Sequence, residues 1–183
     1  EGARTRVVVD VVKSLWEHAE YLLAFESFPP SNKTIAEGRT ILTLGCALPE
    51  LRAAAKWRER AVARLLEDME IQVMPDGASY ELTPGYQLAI ADWFLEAHQV
   101  AAKFGVPLDP RYERGVRSMY AWSTLIARPD GTRPSISDAG SADAAYGEEL
   151  ARAGRILGDD AALWVGSAGR EGKRPAAGSV AFP

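Results

Sequence analysis

Only one cysteine, Cys46, and two histidines, His18 and His98, occur among 183 residues. A single thiol excludes an internal disulfide and any zinc site built on cysteines, and two imidazoles exclude a histidine-rich metal centre. Cys46 stands in the apolar run Leu42 to Leu48, where a free thiol is ordinarily buried and structural. An excess of one charge is also missing. The 21 Lys and Arg against 25 Asp and Glu leave a formal net charge of -4, which gives no global field to gather nucleic acid or an anionic membrane. Any polyanion has to be held by a local group of donors. No apolar run approaches the ~20 residues needed to span a bilayer, because Glu, Lys or Arg interrupts each one. The first residues show no charged-then-apolar leader pattern. Asparagine is as scarce as cysteine, with Asn32 alone.

What is present is apolar and periodic. The apolar share of 47%, with five Trp, six Tyr and five Phe, is enough for a folded core of ordinary size. Val8, Val11, Val12, Leu15, Trp16, Tyr21, Leu22 and Phe25 recur at three- and four-residue spacings, which predicts a helix from about Thr5 to Ala24. Pro29 and Pro30 lack N–H donors and fix φ, so the stretch from Glu26 to Lys33 reads as a loop. Thr34 and Glu37 have the spacing of a capping box, which starts a second helix at Thr34 and runs it to about Ala47. Pro49 suits a first turn, and Leu51, Ala55, Ala61, Leu65, Leu66 and Met69 carry the stripe of a third helix to about Val73. Helices joined that tightly pack antiparallel.

Met74-Pro75-Asp76-Gly77 is a turn by composition, followed by an extended or irregular stretch from Ala78 to Leu82. A fourth helix is predicted with Thr83 as N-cap, Pro84 at its first position and Gly105 as a left-handed end after Phe104. The fifth repeats that grammar from Asp109-Pro110 to about Ala127, and a second Pro-Asp-Gly turn follows at Pro129 to Gly131. Arg133 to Ala144 reads as a surface loop. Short helices at Tyr146 to Leu157 and Ala161 to Val165 complete a helical part spanning 1–165. Residues 166–183, rich in Gly and Pro, read as a linker or tail, and Val180-Ala181-Phe182 looks like the start of a strand. Two helices each ending in Pro-Asp-Gly place both turns at one end of successive hairpins. The fold class is therefore all-α, a layered or toroidal array of antiparallel helical hairpins.

The polar residues of interest lie in two loops at that end: Ser31-Asn32-Lys33 with Glu37-Gly38, and Pro75-Asp76-Gly77 with Ser79-Tyr80-Glu81-Leu82-Thr83-Pro84-Gly85-Tyr86-Gln87. An Asn before an apolar helix is most often its cap. With Thr34 as the cap, Asn32 lies two residues outside the helix, its amide available to a ligand. Tyr86 falls in the first turn of the fourth helix, where unpaired N–H groups favour an anion and suit acid/base chemistry. Its spacing to Trp93 fits core packing as well. His18 and His98 read as packed or capping histidines.

Together these loops resemble the heparinase II/III-like polysaccharide lyases and the related alginate lyases. Leu48-Pro49-Glu50-Leu51 and Pro129-Asp130-Gly131 extend the likeness over Trp16 to about Asp138. Lys33 and Gln87 stand where that family often carries His. The resemblance implies an incomplete (α/α) toroid and β-elimination of an acidic, uronate-containing polysaccharide. On it, Asn32 neutralises the uronate carboxylate and Tyr86 acts at the scissile bond. Lys33, Tyr80, Glu81 and Gln87 become substrate-binding residues. It also implies a periplasmic or secreted setting and no cofactor or metal held by this stretch. A C-terminal β-sandwich would follow near Pro183, with a structural metal of its own. Two further readings stay open: a carbohydrate-binding or degenerate homologue, and a helical-repeat interaction module without a sugar site.

Overall fold

A computed structural model describes residues 2–25, 29–139 and 145–176. Seven helices follow one another: α1 (Gly2–Ala24), α2 (Asn32–Ala47), α3 (Ala54–Gln72), α4 (Pro84–Phe104), α5 (Pro110–Ile126), α6 (Ala145–Leu157) and α7 (Asp160–Gly166). Among the described residues the only extended pairing named is an isolated antiparallel bridge between Val73 and Ser79.

Successive helices form the expected antiparallel hairpins, and small residues set how closely they approach. A Cβ on Gly38 would touch the Leu65 side chain, and one on Gly45 would meet Ala54 O at 3.0 Å, so α2 and α3 run in opposite directions. The Tyr112 hydroxyl donates to Phe94 O at 3.0 Å, and Tyr120 donates to Asp92, which pins α5 antiparallel to α4. In the last pair a Cβ on Gly154 would sit 2.6 Å from Leu163 N, and one on Gly166 would sit 2.3 Å from Ala151 N. Only glycine lets α6 and α7 lie that close. Between the hairpins, α2 and α4 run side by side in the same direction. Arg39 of α2 lies 5.8 Å over the Trp93 ring and pairs with Glu96, while Thr43 and Leu44 share a groove with Gln99, Val100 and Lys103. Trp57, Ile35, Leu42, Leu65, Phe94 and Tyr120 are fully buried between these elements, and burial of such side chains contributes about 1.5–3 kcal/mol each.

Three boundaries differ from the sequence reading. The second helix starts at Asn32 with Ser31 as N-cap, not at Thr34. The third starts at Ala54, because residues 48–53 form tight turns in which Leu51 N donates to Leu48 O and Ala54 N to Leu51 O. Pro49 thus belongs to the connection. Residues 167–172 also turn back onto the last hairpin: Arg155 reaches Glu171, and Glu171 N donates to Ser167 Oγ at 2.9 Å. The proposed strand start at Val180 to Phe182 lies outside the described residues.

In α1 the apolar stripe is present, but only Ala19 is buried. Val7, Val8, Val9 and Val11 are more than half exposed. Contact with the rest of the bundle is made by the later turns, where Leu22 and Leu23 pack on the core and Trp57 Nε1 donates to Glu20 at 2.7 Å. No helix among the described residues is long and apolar enough to cross a membrane.

Candidate functional site

The start of α2 is fixed from below. Thr34 is fully buried, and its hydroxyl lies 2.6 Å from Asp68 Oδ1 and 2.7 Å from Ser31 O. Gln72 Nε2 donates to the same Asp68 oxygen at 2.7 Å. The reciprocal half of the cap is Ser31 N donating to Thr34 Oγ1 at 3.3 Å. Thr34 is therefore the third residue of the helix, and its hydroxyl serves α3 as well as the cap. Asp68 and Gln72 were not legible as site-supporting residues, although two polar residues four apart on the buried stripe of α3 are the signal that marks them. Burial pushes the Asp68 carboxyl above its ordinary value, against the lowering effect of the Thr34 and Gln72 hydrogen bonds and the nearby Arg64. Its second oxygen has no hydrogen bond, with Arg64 Nε at 3.6 Å.

This shift of the cap moves Asn32 from two residues outside the helix to its first position. The backbone N–H of a first-turn residue has no partner within the helix, so Asn32 offers two donors rather than one. Glu81 of the second loop is close enough that the Asn32 side-chain and backbone N–H groups favour its charged form. The amide expected to face a ligand has a carboxylate of the second loop as its neighbour.

That second loop is anchored by Gln87. The Gln87 amide accepts from Ser79 N at 2.5 Å and donates to Gly77 O at 2.9 Å and Met119 O at 3.2 Å. With only 1% of its surface exposed, Gln87 faces the loop backbone rather than the outside. Gly77, at φ +90°, sits so close to α5 that a Cβ would fall 2.1 Å from Ser118 O. Asp76 Oδ1 accepts from Ala78 N at 3.0 Å and closes the turn. Beyond it, Tyr80 N donates to Gln72 O, and the Tyr80 hydroxyl lies 3.5 Å from Pro30 O, joining the two loops directly. Leu82 takes a left-handed φ of +53°, a strained conformation for a residue with a Cβ. The chain then enters α4 through the buried Thr83 and Pro84.

A third segment completes the rim. A Cβ on Gly85 would lie 2.9 Å from Ala139 Cα, so residues 133–139 pack on the first turn of α4, steadied by Arg133 Nη2 donating to Ala139 O at 2.5 Å. The charge of Asp138 acts on Glu81. Burial is the main cause that raises the Glu81 carboxyl. The neighbouring Asn32 N–H groups oppose it and the Asp138 charge adds to it. Tyr86, the third residue of α4, is 37% exposed. Lys33 and Tyr80 are exposed at the same rim, Asn32 and Glu81 are half-buried, and Gln87 lies inside. The starts of α2 and α4 thus bring Asn32, Glu81 and Tyr86 to one edge of the bundle. His18 and His98 lie away from it: His18 Nδ1 is 2.7 Å from Ser14 O, and His98 borders a groove with Leu108 and Pro110.

The family model described as Heparinase II/III N-terminus matches residues 4–163. A heparin-sulfate lyase of Bacteroides stercoris is 29% identical over 67% of this chain and 19% of its own length. A heparin-sulfate lyase of Pedobacter heparinus is 25% identical over 92% of this chain and 26% of its own. The crystal structure of heparan sulfate lyase HepC from Pedobacter heparinus aligns with a TM-score of 0.77 at 25% identity, over 92% of this chain and 27% of that one. The chain thus spans about a fifth to a quarter of these relatives. The aligned architecture is all-helical, as in the (α/α) toroid of the heparinase structures.

Proposed function

The chain belongs to the Heparinase II/III N-terminus family, and we propose that it forms one wall of the substrate cleft of a polysaccharide lyase acting on uronate-containing acidic chains. The observation that carries this reading is the shared rim, where the half-buried Asn32 and the partly exposed Tyr86 lie in or beside loops that touch each other. The named activity of the relatives, heparin-sulfate lysis, fits a site built to receive a carboxylate.

The chemistry follows from the substrate. The proton on C5 of a uronate becomes removable when donors neutralise the attached carboxylate, and Asn32, the first residue of α2, offers a side-chain amide and a backbone N–H unpaired within the helix. Tyr86 takes the C5 proton on its phenolate oxygen. The C–H electron pair becomes the C4–C5 double bond, the C4–O4 bond breaks, and O4 receives the proton back from Tyr86. No water is consumed and no cofactor of this stretch takes part. Lys33 and Tyr80 line the approach as exposed binding groups, and Gln87 acts by fixing the backbone that carries Glu81 into α4. A further domain following this chain would close the cleft and carry any structural metal.

Incubating the intact protein with a panel of uronate polymers and following the ultraviolet absorbance of the unsaturated product tests the reading. Product that disappears in Asn32→Ala and Tyr86→Phe supports it. Saccharide binding without product favours a non-catalytic carbohydrate-binding homologue, a second reading that the Glu81 carboxylate beside Asn32 keeps in play.

A further inference from the structure

Beneath the rim, Thr34, Asp68 and Gln72 are fully buried, and their oxygens meet more closely than an ionised Asp68 allows. Thr34 Oγ1 lies 2.7 Å from Ser31 O and 2.6 Å from Asp68 Oδ1. Both are distances of full O–H···O hydrogen bonds, and each needs a proton of its own. Thr34 carries one hydroxyl hydrogen, and a backbone carbonyl carries none. Given to Ser31 O, that hydrogen leaves the second contact to be filled by a proton on Asp68. Given to Asp68 instead, it leaves Thr34 Oγ1 and Ser31 O facing each other with lone pairs only.

The remaining contacts agree. Gln72 Nε2 donates to Asp68 Oδ1 at 2.7 Å, a bond that the O–H oxygen of an acid can accept while it donates to Thr34. Asp68 Oδ2 is buried without a hydrogen bond, with Arg64 Nε 3.6 Å away. Half of a carboxylate charge is costly there, whereas the carbonyl oxygen of a neutral acid is far less so. The charged and titratable groups that act on Asp68 are Arg64 and Glu67 of α3 and Tyr112 of α5, and α2 meets it with the Thr34 hydroxyl. Of those three groups only Arg64 favours the anion, and burial outweighs it, pushing the carboxyl above its ordinary value.

We propose that Asp68 is kept as a neutral carboxylic acid whose proton completes the Thr34–Ser31 cap, which makes it the positioning residue for Asn32 at the first position of α2. Donation then runs one way, from Gln72 to Asp68, from Asp68 to Thr34 and from Thr34 to Ser31 O. The backbone carbonyl of the same Gln72 accepts from Tyr80 N at 3.0 Å, so one turn of α3 supports both loops of the rim. A neutral acid also places no negative charge beneath the start of α2, whose partial positive charge is left for an incoming carboxylate. The link to catalysis rests on the lyase reading above, and the proton on Asp68 does not.

The test is infrared difference spectroscopy of the intact protein, wild type minus Asp68→Asn, at about pH 5.5, where an exposed aspartate is almost fully ionised. The C=O stretch of a neutral carboxyl is expected in the wild type and absent from the variant. Thr34→Val should move that band to higher frequency without removing it, because the acid loses the oxygen to which it donates. On uronate polymers Asp68→Ala is expected to lower kcat about tenfold with KM changed less than about twofold, the pattern of a misplaced Asn32. Asp68→Asn, whose amide N–H can replace the acid O–H, should recover most of that loss. A carboxylate signal in place of the acid band would overturn the proposal, as would a band that Thr34→Val leaves unmoved or a kcat for Asp68→Asn as low as that of Asp68→Ala. If Asp68→Ala does not fold, the band in the wild type and its behaviour in the Asn and Val variants decide the matter. Failure of the lyase reading is separate: the wild type then gives no unsaturated product while the acid band stands.

Discussion

α2 and α4 run side by side, and the end at which they begin differs in kind from the end at which they finish. At the beginning stand an amide, carboxylates and phenols, in three short segments brought together by the Tyr80 hydroxyl at Pro30 O and by Ala139 packed on Gly85. At the finish lies a groove of about 690 Å³ lined by Cys46, Pro49, Val62, Phe104, Val106 and Pro107, with Arg58 and Glu59 as its only charged groups. The groove is largely apolar and the poorer in chemistry. A helix start exposes N–H donors, whereas a helix end exposes carbonyls, so two helices entering together give one edge of the bundle a bias toward anions.

The sharpest way to break this contrast is at the chemistry. Asn32→Ala and Tyr86→Phe are expected to lower kcat on uronate polymers by about 10²–10³, the usual loss of a preorganised donor or acid/base group. Phe104→Ala in the far groove should leave kcat within a factor of about two, as distant surface positions do. Equal losses at both ends would dissolve the distinction.

Two left-handed glycines sharpen it next. Gly77 at the rim has Ser118 O 2.1 Å from where a Cβ would stand, while Gly105 at the far end has nothing within 4 Å. Thermal unfolding should show Gly77→Ala destabilised by about 3 kcal/mol or more, because strain and overlap add. Gly105→Ala should cost only about 1 kcal/mol from φ alone.

A smaller effect probes the support beneath Asn32. Asp68→Ala removes the hydrogen-bond partner that the buried Thr34 hydroxyl and Gln72 amide share and should cost about 1–3 kcal/mol. Asp68→Asn keeps an acceptor oxygen and removes the charge. The folded carboxyl lies above its ordinary 3.8, so the native state holds the proton longer than the unfolded chain does. Wild-type stability is therefore expected to fall as pH rises from about 4 through the higher folded value, and the Asn variant should lack that slope in denaturant titrations across the window.

Much of the frame was legible because its signals are local. Thr83-Pro84 with Gly105, and Asp109-Pro110, fixed α4 and the start of α5 as expected. Position 31 was not legible, because Ser31 with Thr34 and Thr34 with Glu37 both have capping-box spacing. What decides between them is Asp68, 34 residues away, which takes the Thr34 hydroxyl. The role of Gln87 was hidden for the same reason, since its partners are backbone atoms up to 32 residues away. For α1 the stripe told of a helix but not of its surroundings, and periodicity cannot distinguish a covered face from a bare one. Both loops were visible as motifs, yet the approach of Glu81 to Asn32 across them was not.

Cys46 gives the molecule a practical asymmetry. Its thiol is 3% exposed, and burial pushes its pKa up, so little reactive thiolate is available to alkylating probes. A cysteine introduced at the exposed position 33 would then be the one readily labelled sulfur of this stretch. A fluorophore attached there would report the arrival of sugar at the edge of the cleft with almost no background from the interior.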